Sequence, residues 1–153
     1  MRIIVTSDSH SRAGNLMEII ERHKDNADLF INLGDGEDDV DSVLMLYPHL
    51  NIKRVAGNCD WGSSLPIYDT IKFNGKTIFF THGHHFQVKF GLERIIEKAI
   101  TENADICLFG HTHNPMCKKI DNIYYVNPGA VFDGSYAIID IENNGIMAYN
   151  STI

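Results

Sequence analysis

Ile3-Ile4-Val5-Thr6-Ser7-Asp8-Ser9-His10 begins as an apolar, β-prone run and ends abruptly in an acid and an imidazole two residues apart. In open α/β proteins, ligands gather at the carboxyl ends of the strands. On a chain still extended there, Asp8 and His10 would project from the same side, because side chains alternate with period two. Two metal-type ligands so placed could chelate one ion. Asp-x-His alone is a common chance pairing, and its weight here comes from repetition.

Five apolar runs each end in a residue of metal-ligand type. They deliver Asp8 and His10, then Asp35, Asn58, His82, and finally His111 with His113. A glycine directly precedes Asp35, Asn58 and His111, which lets the backbone turn tightly at a strand end. If the strands share a sheet, the seven side chains converge on one edge. Seven nitrogen and oxygen ligands are too many for one transition metal with an open site. With one bridging carboxylate they divide into four contacts for each of two ions, and two-metal sites clamp the attacking and leaving oxygens of a phosphoryl centre.

The rest of the chain supplies a scaffold for such an edge. Leu16, Ile19, Ile20 and His23 follow helical spacing, which predicts a helix from about Arg12 to His23. Asp28–Leu33 reads as a strand, and Glu37, Asp38 and Asp39 suit a helix N-terminus. Val40, Val43, Leu44 and Tyr47 form that helix's apolar face before Pro48 stops it, and a strand follows over Ile52–Ala56. Asn74-Gly75 marks a hairpin between Ile67–Phe73 and Thr77–Thr81. A third helix carries Leu92, Ile95, Ile96 and Ala99, and Asp105–Phe109 is a further strand. The remainder is β-rich: Met116–Ile120, Ile123–Val126, Tyr136–Ile141 and Ile146–Tyr149, interrupted by a tight loop at Asn127-Pro128-Gly129. Helix-linked strands want a covered sheet, while the tail wants a second, mostly antiparallel one. Two sheets face to face with helices outside satisfy both.

Composition narrows the setting. At 153 residues with 44% hydrophobic content the chain suits one domain, residues 1–153, and a chain of this size buries roughly 68–70% of its unfolded surface. Cys59, Cys107 and Cys117 are odd in number and share no close-spaced metal motif, so they read as free thiols in a reducing compartment. No signal-peptide pattern opens the chain and no apolar run approaches the ~20 residues of a membrane helix, so the expected location is the cytoplasm, with no membrane partner. The net charge of −7 argues against a nucleic-acid polymer as partner, because gripping its backbone relies on Lys and Arg. His23 and His49 lack partners in the pattern and read as surface residues. His84 is assigned a near-site role, while His85 is left unassigned.

Taken together, Asp8-Ser9-His10, Gly34-Asp35, Gly57-Asn58-Cys59-Asp60, His82-Gly83-His84 and Gly110-His111-Thr112-His113 resemble the ordered motifs of the calcineurin-like metallophosphoesterases. The short length and the Asn127-Pro128-Gly129 element are similar to the small YfcE-like phosphodiesterase branch. The resemblance spans nearly the whole chain. It implies an α/β fold, a four-layer α/β/β/α sandwich of two mixed sheets with flanking helices. It also implies that Asp8, His10 and His113 bind one ion, that Asn58, His82 and His111 bind the other, and that Asp35 bridges. Cys59 stands where many larger members carry a His assigned to transition-state stabilisation or leaving-group protonation, and Ser11 where relatives of this branch often have Gly.

The expected activity is hydrolysis of a small phosphoester, foremost a diester, by a dinuclear centre with a metal-bridging water or hydroxide as nucleophile. Asp35, Asn58 and His84 are the candidate catalytic residues. The cofactors expected are two divalent transition-metal ions, manganese first, with iron, zinc or nickel as alternatives, since the ligand set lacks thiolate. The competing readings are a phosphomonoesterase on small metabolites and a catalytically silent scaffold of this fold, as in the retromer subunit. Homo-oligomerisation is left open.

Overall fold

The computed structural model describes residues 1–153. In chain order its elements are β1 (Arg2–Thr6), α1 (Ala13–His23), β2 (Leu29–Asn32), α2 (Glu37–Leu46), β3 (Ile52–Arg54), β4 (Tyr68–Phe73), β5 (Lys76–Thr81), α3 (Glu93–Thr101), β6 (Ile106–Phe109), β7 (Met116–Ile120), β8 (Ile123–Asn127), β9 (Ser135–Glu142) and β10 (Gly145–Thr152). Single 3₁₀ turns cover His84–Phe86 and Val131–Asp133.

Period-two alternation sorts the apolar residues into separate cores. Ile3 and Val5 of β1, Leu29 and Ile31 of β2, Ile78 and Phe80 of β5, and Ile106 and Leu108 of β6 point into one cluster between the sheets. The residues between them point outward. Ile4 and Phe30 meet Leu16, Ile19 and Ile20 of α1 and Val40 and Val43 of α2. Phe79 and Cys107 meet Ile95 and Ala99 of α3. Each central strand is therefore buried on both faces, which is why these strands read as continuous apolar runs. One sheet has the order β10-β9-β1-β2-β3 and the other β4-β5-β6-β8-β7, each mixing parallel and antiparallel pairs. The result is the four-layer α/β/β/α sandwich of two mixed sheets.

Two expectations are corrected. The β-rich tail does not form a second antiparallel sheet of its own: β7 and β8 complete one sheet, and β9 and β10 complete the other. The reason lies in β9, where Ala137 and Ile139 face the inner core while Tyr136 and Ile138 face α1. A strand apolar on both faces needs cover on both, and pairing with β1 also closes that strand's open edge. His23 is not a surface residue. It closes α1 from the inside, 9% exposed, with Nε2 3.0 Å from the Tyr136 hydroxyl. His49 is exposed, as expected.

Burial, reinforced by the charges of Arg2 and Arg22, lowers the pKa of His23 despite the opposing influence of the Asn26 side chain. A histidine whose folded pKa lies below its unfolded value contributes stability that is present above about pH 6.5 and eroded as pH falls below it. His23→Phe should therefore flatten the loss of stability between about pH 7 and about pH 5 in urea unfolding. An unchanged slope would mean that His23 does not carry this dependence.

Candidate metal centre

The seven candidate ligands come from both sheets, not from one edge of one sheet. Asp8 and His10 follow β1, Asp35 follows β2 and Asn58 follows β3 in the first sheet; His82 follows β5, and His111 and His113 follow β6 in the second. The premise of an extended chain at Asp8-x-His10 does not hold either. Asp8, His10, Asp35, His111 and His113 have φ values of 56°, 43°, 56°, 67° and 60°. Left-handed backbone at non-glycine residues costs on the order of 1–3 kcal/mol each and persists where the surroundings enforce it. Here it turns each side chain off the end of its strand and into the gap between the sheets.

The glycines before the ligands serve two different needs. Gly34 has φ 97° and makes a left-handed turn. Gly57 and Gly110 do not, and are required for space: a Cβ on Gly57 would strike the Asp35 carboxylate, and one on Gly110 would strike the Ser7 hydroxyl.

The candidate ligand atoms form two close-set groups, with Asp35 between them. Asp8 Oδ1 lies 3.1 Å from His113 Nε2 and 3.5 Å from His10 Nε2, and the two imidazole nitrogens are 3.3 Å apart. On the other side, His82 Nε2 lies 3.0 Å from Asn58 Oδ1, 3.1 Å from His111 Nδ1 and 3.3 Å from Asp35 Oδ2. Asp35 Oδ2 is also 3.8 Å from His10 Nε2. The tautomer of His82 follows from its back: Nδ1 donates to the Leu33 carbonyl at 2.8 Å, so Nε2 is the atom presented to the cluster. Nitrogen and carboxylate acceptors packed this closely call for a cation among them. The donor set fits divalent transition metals.

Charge within the cluster is consistent with this. Burial would raise the Asp35 pKa, but the His82 imidazole and the Cys59 backbone N–H, which donates to Oδ1 at 2.7 Å, hold it well below the usual range. Burial opposes the charged form of His82, yet Asp35 and Asp8 raise its pKa. His111 is pushed down to about 4 by burial, then by the charges of His82 and Lys89, and so keeps a free lone pair at neutral pH. His84 sits at the rim, its ring centroid 5.4 Å from that of His82 and 6.1 Å from that of His111, with Nδ1 buried and lacking a protein partner. His85 lies beside it, exposed, with the ring centroids 4.3 Å apart and the rings tilted by 46°.

Several supporting residues were given no role of their own in the sequence reading. The Asp60 carboxylate accepts four backbone N–H groups: Asp35 at 2.8 Å, Gly57 at 2.7 Å, Gly36 at 2.9 Å and Glu37 at 3.0 Å. Burial tends to raise its pKa, and these four donors lower it. A signal was available, since α2 opens at Gly36, which has no side chain to cap the helix's free N–H groups. Ser7 donates to Asp8 Oδ2 at 2.5 Å, and Ser9 donates to Asp39 at 2.5 Å. Asn127 is not merely a turn residue: fully buried, it donates to the Gly110 carbonyl at 3.1 Å and to Thr112 Oγ1 at 3.0 Å, fixing the loop that carries His111 and His113.

Residues 1–144 match the calcineurin-like phosphoesterase superfamily domain, and the chain belongs to that family. The probable metallophosphoesterase YsnB of Bacillus subtilis is 30% identical over 150 residues, spanning 94% of this chain and 86% of that protein. Phosphodiesterase YfcE of Escherichia coli K12 is 30% identical over 110 residues, 63% of this chain and 56% of that one. Among solved structures, a conserved Streptococcus pneumoniae TIGR4 protein described as a predicted phosphoesterase superposes with a TM-score of 0.86 at 30% identity, covering 99% of this chain and 88% of that one. Vps29 of Entamoeba histolytica, solved with Zn²⁺, shares the fold with a TM-score of 0.78 at 19% identity over 99% of both chains. The architecture is thus the metallophosphoesterase fold, and none of its helices is long and apolar enough to cross a membrane.

Asp60→Ala should remove the acceptor of four N–H groups and destabilise the protein by about 2–3 kcal/mol. Manganese affinity should fall with it although Asp60 is not a candidate ligand, because Asp35 and Gly57 lose their anchor. Calorimetric titration giving wild-type affinity would show that the loop holds its shape without the clamp.

Proposed function

We propose that the chain is a single-domain, metal-dependent phosphodiesterase that uses two divalent ions, manganese foremost, and water as the nucleophile. The observation that carries the reading is the pair of close-set donor groups, Asp8 with His10 and His113 on one side and Asp35 with His82 and His111 on the other, with Asp35 Oδ2 3.8 Å from His10 Nε2 between them. Asp8, His10 and His113 would hold one ion, Asn58, His82 and His111 the other, and Asp35 both. When bound, the ions would supply Lewis acidity toward the phosphoryl oxygens and lower the pKa of water toward about 7.

The chain's own part is to fix and neutralise. Asp35, kept anionic, offsets the repulsion between two like charges. Leu33 locks His82 in the tautomer that presents Nε2. His84 stands at the rim, its ring centroid 5.4 Å from that of His82 and 6.1 Å from that of His111, where its ring would lie against the substrate. Competent side chains at all seven ligand positions favour catalysis over a silent scaffold. Free thiols at Cys59, Cys107 and Cys117 support a cytoplasmic setting.

Metal analysis after reconstitution with manganese should approach two ions per chain, and Asp35→Asn should weaken both sites where His10→Ala weakens mainly one. Saturation near one ion with full activity would remove the dinuclear reading.

Cys59 bears on the leaving group. Burial and the Asp35 charge raise its pKa, and a thiol is a weak hydrogen-bond donor. Cys59→Ala should therefore cost little, and p-nitrophenyl diesters should be cleaved far faster than dialkyl ones. A large loss in Cys59→Ala with intact metal content would make the thiol catalytic.

A further inference from the structure

Beside the candidate centre lies an open cavity of about 620 Å³, within the ~300–1,000 Å³ range of small-molecule sites. It begins where the ligands end: Thr112, between His111 and His113, forms part of its wall. Phe109, 2% exposed, lies at its base, and Val88, Leu92 and Met116 give it apolar sides. Asn114, Pro115 and the two lysines Lys89 and Lys118 complete the lining, and no carboxylate does.

Three features mark this cavity out. The chain carries a net charge of −7, so two lysines facing one hollow with no acid between them run against the overall balance. Neither lysine forms an ion pair, whereas Lys24, Lys76 and Lys98 each do. The Thr112 hydroxyl accepts from Asn127 Nδ2 at 3.0 Å and from the Asn114 N–H at 3.2 Å, which leaves its own proton to donate. The hollow thus offers two cations, one hydroxyl proton and an apolar lining.

We propose that this cavity seats one ester arm of the substrate, an arm with an apolar body and a terminal anionic group, carboxylate or phosphate. The assignment rests on the phosphodiesterase reading and names the class of diester that this site takes. The chemistry is ordinary hydrolysis: a water oxygen bonds to phosphorus, the bond to the leaving oxygen breaks, and the water's protons go to the leaving group and to solvent. The seated arm leaves the reaction as a phosphate monoester.

Binding and turnover test it separately. Manganese-loaded protein is titrated with butylphosphonate, carboxybutylphosphonate and butane bisphosphonate, none of which can be hydrolysed at its P–C bond. The two anion-ended ligands should bind about tenfold or more tighter than butylphosphonate. That gap should shrink with added salt and close in Lys89→Ala/Lys118→Ala. Both lysines are exposed, so circular dichroism of the double variant should match wild type. The order of the carboxylate and phosphonate ends tells which anion the cavity prefers. Equal affinity for all three ligands, or a gap that survives in the double variant, would overturn the proposal. p-Nitrophenyl diesters bearing the same three arms should show the same ranking in kcat/KM. If no diester is cleaved while the binding gap persists, the anion cavity stands and the phosphodiesterase reading falls.

Discussion

The junction at Asp8 is the constraint on which the rest depends. Its carboxylate is fully buried, takes the Ser7 hydroxyl and the His111 backbone N–H on Oδ2, and turns Oδ1 to His113 and His10. The first donor belongs to one sheet and the second to the other, so Asp8 pins the two strand-end edges together. Its main chain adds to the pin, for the Asp8 N–H donates to the Gly34 carbonyl and its own carbonyl accepts from Phe132. A buried carboxylate is stable only when hydrogen bonds or cations meet it. The sandwich core brings the edges within reach, and Asp8 sets the distance at which they stop.

Much of this was legible because buried strands and strand-end ligands leave a one-dimensional trace. Ile3-Ile4-Val5 and Ile106-Cys107-Leu108-Phe109 are apolar without a break because both faces are covered. The residue types that end the runs pointed to one kind of chemistry. What stayed hidden was long-range. Nothing near Tyr136–Ile141 says that it will pair with β1, 130 or more residues away, rather than with β8. His23 looked exposed because its partner, Tyr136, lies 113 positions along the chain. Asp60 entered only as the last residue of the Gly57–Asp60 motif, with no role of its own, because its four donors lie in two segments that only folding brings together. The extended-chain argument for Asp8 and His10 failed at the backbone: the two side chains are brought to 3.5 Å through left-handed residues, which period-two reasoning does not contain.

That strain has a structural counterpart. Five left-handed non-glycine residues in one cluster would be costly in a loop free to relax. The surrounding bonds do not allow it. Asp60 holds the β2 and β3 ends through four N–H groups, Asn127 holds the β6 end through Gly110 and Thr112, and Gly110 is packed against Ser7 with no room for a side chain. These bonds, all made within the chain, are what hold the candidate ligand residues in their left-handed conformations.

Charge around the centre is divided by side. Lys89 and Lys118 flank the His111 edge, whereas Glu37, Asp38 and Asp60 line the hollow beyond Cys59, under the exposed Trp61. An ester arm ending in an anion meets attraction on the first side and like-charge repulsion on the second, and repulsion of this kind discriminates as effectively as attraction. Under the proposed assignment, a diester with one charged arm can then be seated in only one orientation, with its neutral arm toward Trp61. In-line displacement requires the leaving oxygen to lie opposite the attacking one. Fixing the charged arm therefore fixes which ester bond stands in line, so the two lysines would govern which bond is cleaved as well as which substrate is bound.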